Sequence, residues 1–237
     1  MNKKKLYIII VVIIAIVAII SSYMVLNSFN SYPSTHLASN ELGTVSVEGP
    51  YGNESSNEKI AFIIGVHPLE NNSHAALLNI VRNKTKSLKH SYYIYIINVT
   101  KDEGNFDKGR LNGQLLAKEY VVPEIIKNNY TFVVDVHSNR PVYVEDNFII
   151  PPLNHNKSKE IGLAIINGIS GLNMLKFEAA SDGLPTSPDY VTIPIIKNGT
   201  PSIIYETSLN EPNNVTYSFL SKFIENLDNL DFSRFNL

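Results

Sequence analysis

Three short segments of this 237-residue chain carry side chains that could together perform metal-assisted hydrolysis: His67-Pro68-Leu69-Glu70, Asp135-Val136-His137-Ser138 and Tyr205-Glu206-Thr207. Two imidazoles and one carboxylate with an open fourth position make a catalytic rather than a structural zinc set. His67, Glu70 and His137 are therefore the candidate ligands of one Zn²⁺. Glu206 remains over as a carboxylate that could act as general base toward a water activated at such a site. Asp135 stands two residues before His137, on the same face of a strand, where it could orient the imidazole as an outer partner of the metal.

Each motif is weak alone. With 6 His and 14 Glu in 237 residues, a His-x-x-Glu pair somewhere has roughly a one-in-three chance of arising at random. Taken singly, His67 or His137 reads as readily as a hydrogen-bonded histidine at the edge of a core, and Asp135 as a helix cap or buried ion pair. Their placement carries the weight. All three segments come after apolar runs, at 60–66, 130–134 and 202–204, and strand ends hold ligands rigidly while the following loops admit substrate. His36, His74, His90 and His155 fall in linker, helix or loop contexts and are expected to be solvated. His74 is the one that could compete, four residues after Glu70 on an expected helix.

Apolar runs at 44–47, 60–66, 92–99, 130–136, 190–196 and 202–205 predict strands. Helical spacing predicts helices over 73–88, 113–128 (interrupted at Pro123), 157–169 and 215–227. Continuously apolar strands alternating with helices indicate an α/β three-layer sandwich around a central, mostly parallel mixed sheet, whose ligand sites gather beyond the carboxyl ends of strands.

Ahead of this region, residues 6–26 form 21 uncharged positions, long enough as a helix to span about 31 Å. Lys3, Lys4 and Lys5 precede the run and the next basic residue is Lys59, so a membrane helix here would keep its N-terminus in the cytoplasm. A cleaved signal peptide is the rival, but the run exceeds a usual apolar core and Ser21-Ser22-Tyr23-Met24 is a poor cleavage site. The expected organisation is a lysine cluster and anchor over 1–27, a Ser/Asn-rich linker over 28–43, and an outward-facing domain over 44–237.

Eight Asn-x-Ser/Thr acceptors, at Asn53, Asn71, Asn83, Asn98, Asn129, Asn156, Asn198 and Asn214, compare with roughly four expected by chance and agree with an outside location. The absence of cysteine excludes disulfides and thiolate metal sites. Removing the three N-terminal lysines from the 20 basic residues leaves 17 against 22 acidic ones, without a basic cluster, which speaks against nucleic acid as a partner.

The order of these motifs resembles the zinc carboxypeptidase clan, in particular its succinylglutamate desuccinylase and aspartoacylase branch. Members carry His-x-x-Glu after a strand, then a His at a strand end much like Val134-Asp135-Val136-His137-Ser138. A catalytic Glu follows in a strand like Pro201-Ser202-Ile203-Ile204-Tyr205-Glu206-Thr207. The resemblance implies that His67, Glu70 and His137 hold Zn²⁺ and that Glu206 moves the proton from water to the leaving amine. It implies further an arginine that stabilises the oxyanion or grips a substrate carboxylate. The family's Asn-Arg motif does not appear cleanly, which leaves Arg110, favoured by its place between Glu70 and His137, and Arg140. Ser187-Pro188-Asp189-Tyr190 resembles the stretch that holds a substrate-facing residue, which makes Tyr190 a further candidate.

The expectation is thus a membrane-anchored, extracytoplasmic zinc hydrolase acting on a peptide or an N-acyl amino acid, with an envelope-derived peptide favoured by location. A non-catalytic surface module that keeps the fold is the alternative from another class, and a structural envelope protein without any ligand is a third.

Overall fold

A computed structural model describes residues 12–18, 21, 32–140, 143–179 and 185–235. The chain divides into two units, Met1–Pro33 and Ser34–Leu237. In the first, residues 12–18 are helical (α1) and exposed. Most of the expected 6–26 span lies outside the described residues, and among those described no helix is long and apolar enough to cross a membrane.

The second unit is built on eight strands: β1 (Ser34–Asn40), β2 (Gly43–Gly52), β3 (Lys59–Ile64), β4 (Ser91–Val99), β5 (Phe132–Asn139), β6 (Phe148–Ile150), β7 (Asn173–Met174) and β8 (Ser202–Ser208). They form one mixed sheet in the order β1-β2-β4-β3-β5-β8-β6-β7. Its centre, β4-β3-β5-β8, is parallel, whereas the β1–β2, β2–β4 and β6–β8 pairs are antiparallel. Helices α2 (Asn71–Lys84), α5 (Asn156–Ile166) and α8 (Asn213–Asp228) pack together. A second group comprises α3 (Phe106–Leu116), α4 (Val122–Asn128), α6 (Ser187–Tyr190) and α7 (Thr192–Lys197). The sheet is thus flanked by helices, an α/β arrangement with its parallel part in the middle.

The parallel centre is covered on both sides and its sequences are apolar throughout, as burial on two faces demands. Ile63 of β3 and Val133 of β5 join Val121, Ile125 and Ile195 in one core. On β8, the ring of Tyr205 meets Phe223 of α8 edge-on at 4.8 Å between centroids. Full burial of an isoleucine such as Ile63 contributes about 1.5–3 kcal/mol.

Three expectations are corrected. Residues 34–40, read as linker, form strand β1, and the compact unit starts at Ser34 rather than at 44. This edge strand is largely exposed, so its polar sequence carries no burial pattern and its structure comes from pairing with β2. The apolar run 190–196, read as a strand, belongs to α6 and α7. A capping box between Thr186 and Asp189, with Pro188 in the first turn, starts a helix there, and packing against the core outweighs the β propensity of the Val and Ile that follow. The helix expected over 113–128 begins earlier, where the Asn105 side chain accepts a hydrogen bond from the Lys108 amide. It runs on through a π turn at Ala117–Val121, which places Pro123 in the first turn of α4, where no N–H is needed.

Two glycines set the approach to the loop that carries His67 and Glu70. Gly65 has φ +84°, and a Cβ there would lie 1.9 Å from the Ile97 carbonyl oxygen. A Cβ on Gly113 would lie 2.1 Å from the Val66 carbonyl oxygen, so only glycine lets α3 rest against the segment that leads into His67.

Candidate metal centre and its cleft

His67 follows β3, and Glu70 closes a turn back onto it, its amide donating to the His67 carbonyl at 3.2 Å, before α2 begins. His137 and Glu206 lie within the last residues of β5 and β8, paired in register across the two strands. Residues alternate faces along a strand, so Asp135 and His137 on β5, with Ile204 and Glu206 on β8, look toward one side of the sheet.

The three expected ligands converge. His67 Nδ1 lies 2.9 Å from Glu70 Oε1 and His137 Nδ1 lies 2.8 Å from Glu70 Oε2. One candidate ligand atom from each residue falls within 4.8 Å of the others. Bonds of 2.0–2.1 Å in a tetrahedron place ligand atoms roughly 3.3 Å apart, so the donor set fits zinc with small adjustment. Arg110 Nη1 donates to Glu70 Oε1 at 3.0 Å and the Ser138 amide to Oε2 at 3.1 Å. Behind His137, its Nε2 lies 3.0 Å from Asp135 Oδ1. That contact is close but off the line of an N–H bond, so it is an ion pair rather than an aligned hydrogen bond. The Gln114 amide approaches the outer nitrogen of His67 at 3.5 Å.

Burial and charge act against each other here. Burial, together with the charge of His137, lowers the His67 pKa to about 4 despite the Glu70 carboxylate beside it. Burial would depress His137 too, but the carboxylates of Asp135 and Glu70 outweigh it and raise this imidazole well above its ordinary value. For Glu70 burial pulls upward, and the two imidazoles overcome it and hold the carboxyl well below the usual range. Burial lifts Glu206 to about 8; His137 and Arg110 pull it down, Glu70 and Asp135 push it up. Its Oε2 is out of solvent and has no hydrogen-bond partner in the protein. Three carboxylates thus crowd two imidazoles and one guanidinium, a balance that suits a divalent cation.

A cleft of ≈ 580 Å³ opens over this group. His67, Arg110, His137 and Glu206 line its inner end; Tyr143, Ile150, Phe177 and Ser187 are among its walls. Arg110 is only partly shielded, and its guanidinium also lies 4.9 Å from the centre of the Phe106 ring. Arg140 stacks on that same ring at 3.5 Å, exposed and outside the set that lines the cleft.

Tyr190 does not reach the cleft. The helical turn Ser187–Tyr190, which ends where the strand over 190–196 was expected to begin, packs Tyr190 against the core, with Lys118 Nζ 5.7 Å from its ring. The same segment meets the cleft through Ser187 and Pro188 instead. Sequence reasoning missed Tyr143, whose hydroxyl is shifted upward by burial and by the Glu206 charge. It sits in the loop between β5 and β6, where no spacing rule marks it. Gln114 was likewise unmarked.

Two histidines expected to be solvated are buried. His74 Nε2 donates to the Val136 carbonyl at 3.0 Å; the 3.4 Å approach of the Gly65 amide to the same nitrogen cannot be a hydrogen bond in that tautomer. His74 therefore faces strand backbone and does not join the ligand group. His90 contacts the Leu230 carbonyl at 3.1 Å. All eight acceptor asparagines are exposed, and none lines the cleft, Asn71 included.

No family model matches the chain, and no curated protein sequence does. Solved structures do match its fold. A metallo-carboxypeptidase from Pseudomonas aeruginosa superposes with a TM-score of 0.56 at 8% identity, over 88% of this chain and 67% of that one. Tripeptide-bound Cell Shape Determinant protein Csd4 from Helicobacter pylori gives 0.53 at 14% identity, over 87% of this chain and 59% of that one. A candidate metallopeptidase from Shewanella denitrificans gives 0.53 at 10% identity, over 83% and 82%. The chain thus shares its fold with metallocarboxypeptidase structures, and it spans about three fifths of the length of Csd4.

Proposed function

We propose that this chain is a zinc-dependent hydrolase of amide bonds, acting on the C-terminal end of a peptide or on an N-acyl amino acid. The observation that carries this reading is the convergence of His67 Nδ1 and His137 Nδ1 on opposite oxygens of Glu70, beside Glu206, which lines the cleft and has one buried carboxyl oxygen without a hydrogen-bond partner. The fold shared with metallocarboxypeptidases supports a peptidase-like activity, and the tripeptide held by Csd4 supports a peptide as the substrate class.

His67, Glu70 and His137 would hold the metal. A zinc ion there supplies Lewis-acid activation of water and of the scissile carbonyl. Glu206, ionised, accepts a proton from the attacking water and delivers it to the departing nitrogen as the C–N bond breaks. The positive charge of Arg110 balances Glu70 and stands beside the cleft, where it can steady a substrate carboxylate or the charge that develops on the carbonyl oxygen. Asp135 holds the outer edge of His137 and keeps the ring turned toward the metal.

The location belongs to the same reading. The apolar run 6–26 after three lysines would anchor the chain in a membrane with its domain outside. There the exposed asparagines could accept glycans without obstructing the cleft. An outside location favours an envelope-derived peptide as substrate.

One observation favours a second reading, that of a non-catalytic surface module. Arg110 is committed to Glu70, and Arg140, stacked on Phe106, is not among the residues lining the cleft. Zinc analysis and a panel of blocked dipeptides and N-acyl amino acids separate the two. About one equivalent of zinc, lost in His67→Ala and His137→Ala, with hydrolysis abolished in Glu206→Gln while zinc stays, supports the hydrolase. Folded protein that takes up no metal supports the module.

A further inference from the structure

Beneath the centre, on the face of the sheet opposite His137 and Glu206, three buried hydroxyls form a chain. Each stands beside a residue of the site: Ser73 three positions after Glu70, Ser138 next to His137, Thr207 next to Glu206. All three are fully shielded from solvent. Ser138 and Thr207 are partners in the parallel pairing of β5 and β8, with their oxygens 3.3 Å apart. Ser138 donates to Ser73 Oγ at 2.8 Å, and Ser73 donates to the Glu70 carbonyl oxygen at 3.3 Å.

The protons fit one direction only. Ser73 spends its proton on a carbonyl and Ser138 spends its own on Ser73, so Thr207 must donate to Ser138. The result is a one-way relay of hydrogen bonds from β8 through β5 to the first turn of α2. That turn has no side-chain cap at Glu70. The Ser138 amide meanwhile donates to Glu70 Oε2. Glu70 is therefore held twice by Ser138, directly at its carboxylate and through Ser73 at its carbonyl.

We infer that Ser73, Ser138 and Thr207 are positioning residues that fix the Glu70 carboxylate against His137 and so set the metal affinity of the centre. The inference rests on the metal reading given above. Outer partners of metal ligands commonly tune affinity 10- to 100-fold, and a buried chain in which every proton is used has no slack with which to absorb the loss of one member. A purely structural role would instead lower the stability of the fold and leave the affinity of folded protein for metal unchanged.

Zinc affinity is measured by chelator competition on the full chain, with urea unfolding of metal-free protein alongside. Ser73→Ala and Ser138→Ala should each weaken zinc binding about 10-fold or more. Their double variant should be less than multiplicative, since the two act as one unit. Thr207→Ser keeps the donor and should bind zinc as the parent does, whereas Thr207→Val should not. Should Ser138→Ala fail to fold, the Thr207 pair decides the matter. Unchanged zinc affinity with a lowered urea midpoint overturns the positioning role and leaves the hydrolase reading standing. A parent protein that binds no zinc overturns both.

Discussion

Asp135 Oδ1 lies 3.0 Å from His137 Nε2, on the edge of the ring opposite the nitrogen that faces Glu70. Neither oxygen of this fully buried carboxylate has a hydrogen-bond partner, so its charge is held chiefly by the imidazole. Asp135→Asn keeps the shape and removes the charge. Zinc affinity should fall 10- to 100-fold while the far-ultraviolet circular dichroism stays the same. An affinity within twofold of the parent would show that the pair is structural only.

Tyr143 is the half-exposed aromatic at the side of the cleft, near the charge of Glu206. If substrate packs on this ring, Tyr143→Ala should raise KM about fivefold or more, in line with a loss of about 1 kcal/mol, and change kcat little. Steady-state kinetics on a blocked dipeptide checks it. A fall in kcat at constant KM would place the residue in the chemical step instead.

His74 predicts a pH dependence of stability in metal-free protein. Its folded pKa is lowered to about 4 by burial, against an ordinary value of 6.5. Between these values the unfolded chain binds a proton that the folded one refuses, so this contribution to stability is full above pH 6.5 and is lost as pH falls toward 4. The slope is about 1.4 kcal/mol per pH unit. His67, lowered to about 4, acts in the same sense, while Glu206, raised to about 8, acts in the opposite one, so a difference between variants is the clean measure. Urea unfolding from pH 4.5 to 6 should show a shallower dependence in His74→Gln than in the parent.

Gly65→Ala tests the turn into the loop that carries His67 and Glu70. With φ at +84° and a backbone oxygen 1.9 Å from the new Cβ, the change should cost about 3 kcal/mol or more. The same substitution at Gly104, which has open space around it, should cost less than about 1 kcal/mol. Urea midpoints of the two variants give the comparison.

The convergence of His67, Glu70 and His137 was legible because these candidate ligands sit at the ends of β3 and β5, where continuous apolar runs announce buried parallel strands. The same rule misled over 190–196, since a short apolar run is equally a buried helix, and only the Thr186/Asp189 cap and Pro188 tell them apart. Strand β1 was hidden for the opposite reason: an exposed edge leaves no pattern in its side chains. Arg110 was found through the order of motifs, whereas Tyr143 and Gln114 reach the centre by tertiary packing that no local spacing records. The buried fate of His74 depended on the neighbouring Val136 carbonyl, 62 positions away.

Phe106 carries a guanidinium 4.9 Å from its centre and another at 3.5 Å, from Arg110 and Arg140. Arg110 is held against Glu70, whereas Arg140 is exposed, and a stacked guanidinium keeps its donor edge free, so a cation stands beside the opening of a protein whose formal net charge is −2. Anionic molecules arriving by diffusion are drawn to that side ahead of any contact. Their capture rate should therefore drop as ionic strength rises, even where the final bound affinity owes most to other groups.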